Sequence, residues 1–165
     1  MTTAEAARPP SRTIPTTVVG SYPLPEWLRA YPTRDHLRDA TLVVARTQEL
    51  AGIDVVADGE LSRFDVNHPE TNGMIDYFTG QLDGVGARLT QADRAEFAQR
   101  TDMGYRIAPA GVVTGPIGPG TLDLAKPAAL LRTLTTRRTK FTLTSPYMLG
   151  RVLLDRSYGD RQALA

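Results

Sequence analysis

Two short apolar runs in this chain end in side chains that can bind a ligand or take part in chemistry. Residues 53–60 (IDVVADGE) pass from β-branched residues to the carboxylates Asp58 and Glu60. Residues 16–23 (TTVVGSYP) have the same form and end in a glycine followed by Ser21. Such runs are typical of buried parallel strands, whose carboxyl ends carry the ligand sites of α/β folds. The sequence therefore predicts a ligand site at two strand ends.

The residue types at these strand ends suit an amino acid. A backbone N–H and a hydroxyl beside a glycine can bind a carboxylate closely. A carboxylate held opposite binds an ammonium group through charge-assisted hydrogen bonds. Ser21 and Glu60 can therefore hold the two ends of an amino-acid zwitterion. Without a ligand, we expect the Glu60 carboxylate to be solvated in the cleft.

Each of these residues also has a purely structural interpretation. Glu60 can be a charge near the N-terminus of the following turn, and Ser21 can be a cap or turn residue. For Asp58, a turn-forming role and a ligand-binding role remain equally open. Arg63 and Asp65 are interpreted as an ion pair that supports the loop.

Strand-like and helix-like segments alternate along the chain. The predicted strands are residues 16–20, 53–57, 111–115 and 141–144. A Pro-rich loop follows the first strand and reaches Pro32. The first predicted helix is capped by Thr33 or Asp35, runs to about Ala51 and is stopped by Gly52. The other predicted helices cover residues 74–79, 92–100, 122–137 and 147–154. Residues 80–89 are interpreted as a hairpin, and Pro127 as either an interruption or the first turn of its helix. This alternation predicts an α/β fold of β/α units around a parallel sheet.

Composition limits the class of protein. The 165 residues, 41% hydrophobic and 22% charged, are typical of one globular domain. A formal net charge of +1 gives no reason to expect a nucleic-acid or membrane partner. The chain has no cysteine, hence no disulfide and no thiolate nucleophile. Residues 1–12, interpreted as a mobile tail before a domain of residues 13–165, lack the apolar segment of a signal peptide, so we expect a cytoplasmic protein.

Four motifs occur in register: residues 16–23, residues 48–60 (QELAGIDVVADGE), Arg63 with Asp65, and residues 143–146 (LTSP). Over roughly residues 14–160, their order and spacing resemble the C-terminal catalytic barrel of the cobalamin-independent methionine synthase family. The resemblance implies a TIM-type (β/α)₈ barrel, of which this chain is the first half, with about four β/α units. It also implies that Val19, Gly20 and Ser21 meet the amino-acid part of a homocysteine-like substrate, and that Glu60 binds the α-amino group. Asp58 is kept with them as a candidate substrate-binding residue from its position close to Glu60 in the motif.

The chain departs from that family where the metal and the methyl donor would bind. The family holds zinc through Cys, His and Glu residues in the second half of its barrel, whereas this chain has no Cys. Its two histidines lie in no ligand-spaced motif; His36 is interpreted as a solvated residue near a helix start and His68 as a loop residue. Arg106 falls near a folate-binding arginine of the family, and Val152 falls where relatives carry a tryptophan that stacks on the pterin. The resemblance implies 5-methyltetrahydrofolate as the donor, and these differences leave the donor open.

A (β/α)₈ barrel usually needs about 250 residues, and half of one would expose sheet edges and apolar surface. We therefore expect a second polypeptide to supply the other half-barrel and the zinc ligands, or the chain to self-associate. On this interpretation the chain is one subunit of a split methyltransferase for a small amino-acid or thiol substrate and is not active alone. Two alternatives stay open: a non-catalytic binding or regulatory half-barrel, and another transfer reaction on the same scaffold, such as alkyl transfer to coenzyme M or decarboxylation.

Overall fold

The computed structural model describes residues 14–164, apart from 66, 70, 101–103 and 105. The predicted tail, residues 1–12, lies outside the described residues. The helices are α1 (Glu26–Ala30), α2 (Arg34–Leu50), α3 (Asp76–Thr79), α4 (Gln91–Ala98), α5 (Ala125–Leu134), α6 (Pro146–Val152) and α7 (Arg161–Leu164), with a short 3₁₀ helix at Leu61–Arg63. The strands are β1 (Val55–Val56), β2 (Asp83–Gly86), β3 (Gly111–Gly118), β4 (Arg138–Thr139) and β5 (Leu153–Asp155). None of the helices described is long and apolar enough to cross a membrane.

The first two predicted strands are parallel neighbours, as the sequence predicts. Thr17 forms a parallel bridge with Val55, and β1 pairs in parallel with β4 on its other side. The first strand is shorter than predicted, because only Thr17 of residues 16–20 pairs with a neighbour. Side chains add to the backbone contacts at the start of this segment: Thr16 donates its hydroxyl to Asp54 Oδ2 at 2.8 Å, and Thr17 donates its hydroxyl to Val55 O at 2.8 Å.

The second group of strands mixes both directions. β3 pairs in parallel with β5 and antiparallel with β2. The predicted hairpin at residues 80–89 is wrong in its pairing, since the β2 strand within it pairs with β3. Gly84, with φ at +75°, lies where the register between β2 and β3 shifts. Together the two groups give a mixed α/β structure with parallel strands.

Helix α2 positions the functional end of β1. Thr33 is its N-cap and accepts a hydrogen bond from the His36 backbone N–H at 3.2 Å. The chain leaves the helix through Gly52, whose φ of +74° is the left-handed conformation common just after a helix. Both features confirm the predicted start and stop. The inner face of α2 packs on β1 and α5 in a cluster formed by Ala45, Val56 and Leu131.

Three other predicted elements need correction. The Pro-rich loop before Pro32 contains helix α1. The helix predicted at 147–154 ends at Val152, because the next residues form β5 and pair with β3. The strand predicted at 141–144 is absent from this described segment; the preceding strand, β4, ends at Thr139. Past Lys140, this segment is held by hydrogen bonds that involve side chains. Arg63 donates to Thr142 O, and the Thr144 hydroxyl donates to Met74 O.

Helix α5 is shorter than the predicted span of 122–137. Pro127 lies in its first turn, which is one of the two predicted roles for this proline. A proline is tolerated there because the first backbone N–H groups of a helix have no partner within the helix.

Candidate functional site

The carboxyl end of β1 is fixed by a buried glutamine from α2. Gln48 accepts a hydrogen bond from Ala57 N at 2.9 Å and donates one to Ala57 O at 2.8 Å. The side-chain amide thus satisfies both backbone groups of Ala57, as a neighbouring strand would. Because Gln48 also donates to Val44 O within its own helix, it holds the end of β1 against α2.

Beyond Ala57, the chain turns sharply through two residues with left-handed backbone conformation, Gly59 (φ +72°) and Glu60 (φ +59°). A Cβ at Gly59 would lie 2.9 Å from atoms of both Tyr22 and Val44, so only glycine fits there. Asp58 Oδ1 accepts the Glu60 backbone N–H at 3.0 Å, which is the turn-forming role considered for Asp58. The Tyr22 N–H donates to Gly59 O at 2.9 Å and joins the two strand ends.

Ser21 and Glu60, which the sequence places on neighbouring strand ends to bind the two ends of a zwitterion, are in direct contact with each other. The Ser21 hydroxyl donates to Glu60 Oε2 at 2.9 Å. Arg63 Nη1 lies 3.2 Å from the same oxygen. Glu60 Oε1 takes no hydrogen bond from the described residues and is not among their fully buried unpartnered atoms. The expectation of a solvated Glu60 is wrong: the residue is 7% exposed, because Ser21 and Arg63 cover it.

Arg63 has a larger role than the sequence indicates. Its side chain is buried, and its guanidinium carbon lies 5.1 Å from the ring centre of Phe78 and 5.3 Å from that of Phe141. Its anionic partner is Glu60. The predicted ion pair with Asp65 is therefore wrong; Asp65 instead accepts the Asn67 backbone N–H at 2.9 Å.

Polar atoms without partners are concentrated at this turn. In the part of the chain that the structure describes, the fully buried side-chain atoms with no hydrogen bond are Asp58 Oδ2, Ser62 Oγ and Arg63 Nε. Burial raises the pKa of the Asp58 carboxyl above its ordinary value, and the Glu60 charge adds to this effect, whereas the Glu60 N–H and the Arg63 charge oppose it. Unpartnered buried polar groups are costly and often mark functional sites.

The other strand end is open. Val19 is 84% exposed, and a Cβ added at Gly20, where φ is +100°, would meet no atom within 4 Å. The backbone N–H groups of residues 19–21 donate no hydrogen bond to the described residues. Free N–H groups beside a glycine and a hydroxyl are the donors that a ligand carboxylate needs.

The residues predicted near the methyl donor lie in other contacts. Arg106 is ion-paired with Asp76 at 2.7 Å and donates to Ala108 O at 2.8 Å, and neither contact involves Ser21, Asp58 or Glu60. Val152, at the position of the family's tryptophan, is fully buried in a core cluster with Ile75 and Phe97.

The histidines show no metal-binding arrangement in the described residues. His36 Nδ1 lies 2.6 Å from Tyr31 O, and the imidazole ring contacts Trp27 edge-on. His68 lies in a turn region. No group of three or more His, Cys, Asp or Glu residues within the described part of the chain could hold a metal ion.

Comparison with known proteins adds independent information. No family profile matches the chain. The methionine synthase of Pyrococcus furiosus is 39% identical over 43% of this chain and 22% of its own length. The 5-methyltetrahydropteroyltriglutamate–homocysteine methyltransferase of Nitratidesulfovibrio vulgaris is 30% identical over 84% of this chain and 17% of its own length. A B12-independent methionine synthase from Shewanella, solved in complex with selenomethionine, has a TM-score of 0.64 and 26% identity over 91% of this chain and 43% of that chain.

The chain is a relative of the cobalamin-independent methionine synthases. This relationship confirms the resemblance seen in the motifs, and it agrees with the mixed α/β fold and its parallel strands. The aligned part covers 22% and 17% of the two curated methionine synthase relatives, so the chain spans less than a quarter of either.

Proposed function

We propose that this chain binds the amino-acid part of a homocysteine- or methionine-like substrate, as one part of a methionine-synthase-like methyltransferase. The observation that carries this proposal is the 2.9 Å contact between Ser21 Oγ and Glu60 Oε2 across two parallel strand ends. This contact places a hydroxyl and a carboxylate within the span of one zwitterion. The relationship to methionine synthases, one of them solved with selenomethionine, supports a sulfur-containing amino acid as the ligand.

In the proposed complex, Glu60 Oε1 accepts the ligand's ammonium group, since Oε2 already has partners in Ser21 and Arg63. The ligand carboxylate accepts hydrogen bonds from the backbone N–H groups of Val19, Gly20 and Ser21. The Ser21 hydroxyl turns from Glu60 to the ligand carboxylate. Both charges of the zwitterion then meet partners of opposite polarity, and the ligand side chain extends away from the two strand ends.

We further propose that a second polypeptide completes the barrel and supplies the zinc site. The residues of this chain do not fit a zinc site, because the chain has no cysteine and the described residues contain no suitable cluster. The exposed apolar side chains of Val19, at the candidate site, and of Leu143, which follows Thr142 in the sequence, support a covering partner. The methyl donor is proposed to be a methyltetrahydrofolate, as the name of the Nitratidesulfovibrio relative indicates for that enzyme.

The test is calorimetric titration of the full chain, in the form in which it purifies, with L-methionine. Glu60→Gln keeps the shape of the side chain but removes its charge, and should weaken binding by roughly 1.5–3 kcal/mol, the range for a hydrogen bond to a charged group. Ser21→Ala should cost less, because the neighbouring backbone N–H groups remain.

The matched control is Glu26→Gln, which changes an exposed glutamate on α1 and should leave affinity unchanged. Circular dichroism of each variant checks that the fold is retained, since Glu60→Gln also leaves the Arg63 guanidinium without its anion. Equal methionine affinity in the wild type and a folded Glu60→Gln variant would show that Glu60 only stabilises the turn. Absence of methionine binding by the wild type would favour a half-barrel with another ligand.

A further inference from the structure

The Glu60 carboxylate is contacted by a buried arginine, Arg63. Both protein contacts to this carboxylate, from Arg63 Nη1 and from the Ser21 hydroxyl, go to Oε2. The terminal torsion of a glutamate is broad and permits many carboxylate orientations. Without a ligand, two donors on one oxygen restrict that torsion. When the Ser21 hydroxyl turns to the ligand carboxylate, Arg63 alone holds Oε2 and leaves Oε1 as the oxygen available to the ammonium group.

The guanidinium of Arg63 is itself held firmly. Tyr77, Phe78 and Phe141 surround it with ring centres at 5.9, 5.1 and 5.3 Å. Arg63 Nη2 donates to the carbonyl oxygen of Thr142. A planar guanidinium can use two of its nitrogens in fixed directions at once, and it packs well against aromatic faces. Arg63 therefore links the segment after β4, through Thr142, to the Glu60 carboxylate after β1.

We propose that Arg63 is a positioning residue that gives the site its preference for the α-amino group of the ligand. This proposal rests on the proposed function, because it requires that Glu60 bind an ammonium group. With the guanidinium in place, Glu60 presents Oε1 in one direction. Without it, the carboxylate can rotate, and the ammonium group no longer meets an acceptor at a fixed position.

The same kind of ion pair elsewhere in the chain provides a control. Arg46 and Glu49 are also three residues apart and ion-paired, but the Arg46 side chain is 57% exposed against 2% for Arg63. Exposed pairs contribute little to stability, whereas removal of one partner of a buried pair is strongly destabilising. Arg46→Met thus removes an arginine–glutamate pair without touching the candidate site.

The test uses two probes that differ in one group, L-methionine and 4-(methylthio)butanoate, which is methionine without its amino group. The full wild-type chain should bind methionine roughly tenfold or more tightly than the deaminated probe, since a hydrogen bond between charged groups of about 1.5 kcal/mol corresponds to that ratio. In Arg63→Met the ratio should fall to about threefold or less. In Arg63→Lys, which keeps the charge but not the planar fork, the ratio should be intermediate. Arg46→Met should match the wild type.

The outcomes separate the two proposals. A wild-type ratio near one would overturn the role of Glu60 and, with it, the role of Arg63. A clear wild-type preference that persists unchanged in folded Arg63→Met would overturn the positioning role alone. Equal weakening of both probes in Arg63→Met would also overturn it, because a structural defect does not distinguish the amino group. If Arg63→Met does not fold, Arg63→Lys decides, and an unchanged ratio in that variant overturns the proposal.

Discussion

Glu60 has a backbone conformation that is unusual for a residue with a side chain. Among the described residues it is the non-glycine residue with positive φ, at +59°. Such conformations cost on the order of 1–3 kcal/mol and persist at sites where the surroundings impose them. Here the Asp58 carboxylate holds the Glu60 N–H, and Arg63 holds its side chain. The strain is therefore located at the residue that the proposed function needs most.

The carboxyl of Asp58 should give the protein a measurable pH dependence of stability. Because burial raises its pKa in the folded state above the ordinary value of 3.8, the folded state binds this proton more tightly than the unfolded state. The stability that Asp58 contributes is present below that ordinary value and is lost as pH rises through the folded-state pKa. In Asp58→Asn this loss disappears. Urea unfolding from pH 3.5 upward should therefore show the variant gaining stability relative to the wild type as pH rises.

Asp155 provides a control of opposite sign. Hydrogen bonds from the backbone N–H groups of Tyr158, Ser157 and Gly159 lower the pKa of its carboxyl. Its contribution to stability is present above the ordinary pKa and is lost as pH falls, so Asp155→Asn should lose stability relative to the wild type as pH rises. The same pH trend for both variants would contradict the burial effect at Asp58.

At the scale of elements, local patterns predict what local forces decide. Helix α2, its Thr33 cap and its Gly52 stop follow from spacing and capping chemistry. The parallel arrangement of the first two strands follows from the alternation of strand-like and helix-like segments. The strand predicted at 141–144 is absent, and contacts with residues distant in sequence are present there instead: Arg63 donates to Thr142 O, and the Thr144 hydroxyl donates to Met74 O. No local pattern encodes those contacts.

The candidate site divides in the same way. Ser21 and Glu60 stand out in the sequence because polar residues follow β-branched runs, and the structure brings them to 2.9 Å. The role of Arg63 could not be predicted, because its aromatic neighbours Tyr77, Phe78 and Phe141 come from other segments. Arg63 lies two residues before Asp65, which suggests a local ion pair, but in the structure Arg63 is buried and pairs with Glu60.

Gln48 should be essential for the attachment of β1 to α2. Gln48→Leu keeps a similar volume but leaves the N–H and C=O of Ala57 without their partner. Each buried backbone group left unpaired costs about 1–3 kcal/mol, so for the two groups we expect a loss of roughly 2–6 kcal/mol in the free energy of unfolding. Urea denaturation measures this loss. The control is Gln91→Leu, on an exposed position of α4, which should change stability by less than about 0.5 kcal/mol. A similarly small change in Gln48→Leu would show that the two hydrogen bonds to Ala57 do not hold β1 against α2.

At the scale of the whole molecule, we predict that zinc is bound only when a second polypeptide is bound to this chain. The chain has no cysteine, so the purified chain alone should retain no stoichiometric zinc after dialysis against a mild chelator, because zinc sites need a set of deprotonated ligands in defined geometry. Zinc analysis of the chain purified from its own source should find zinc only when a second polypeptide is present. Stoichiometric zinc held by this chain alone would disprove the proposed division of the site.

The contacts that form the candidate site join distant parts of the sequence. Ser21 and Glu60 are 39 residues apart, and Arg63 and Thr142 are 79 apart. The entropy of closing such loops must be spent before the contacts return any free energy, so long-range contacts slow folding. Helix α2, whose hydrogen bonds are local, can form early, whereas the site that joins Ser21, Glu60 and Arg63 to Thr142 requires residues 21 to 142. Partly folded chains would therefore show helical circular dichroism before the candidate site has formed. Ligand titration would then measure the fraction of molecules that are completely folded.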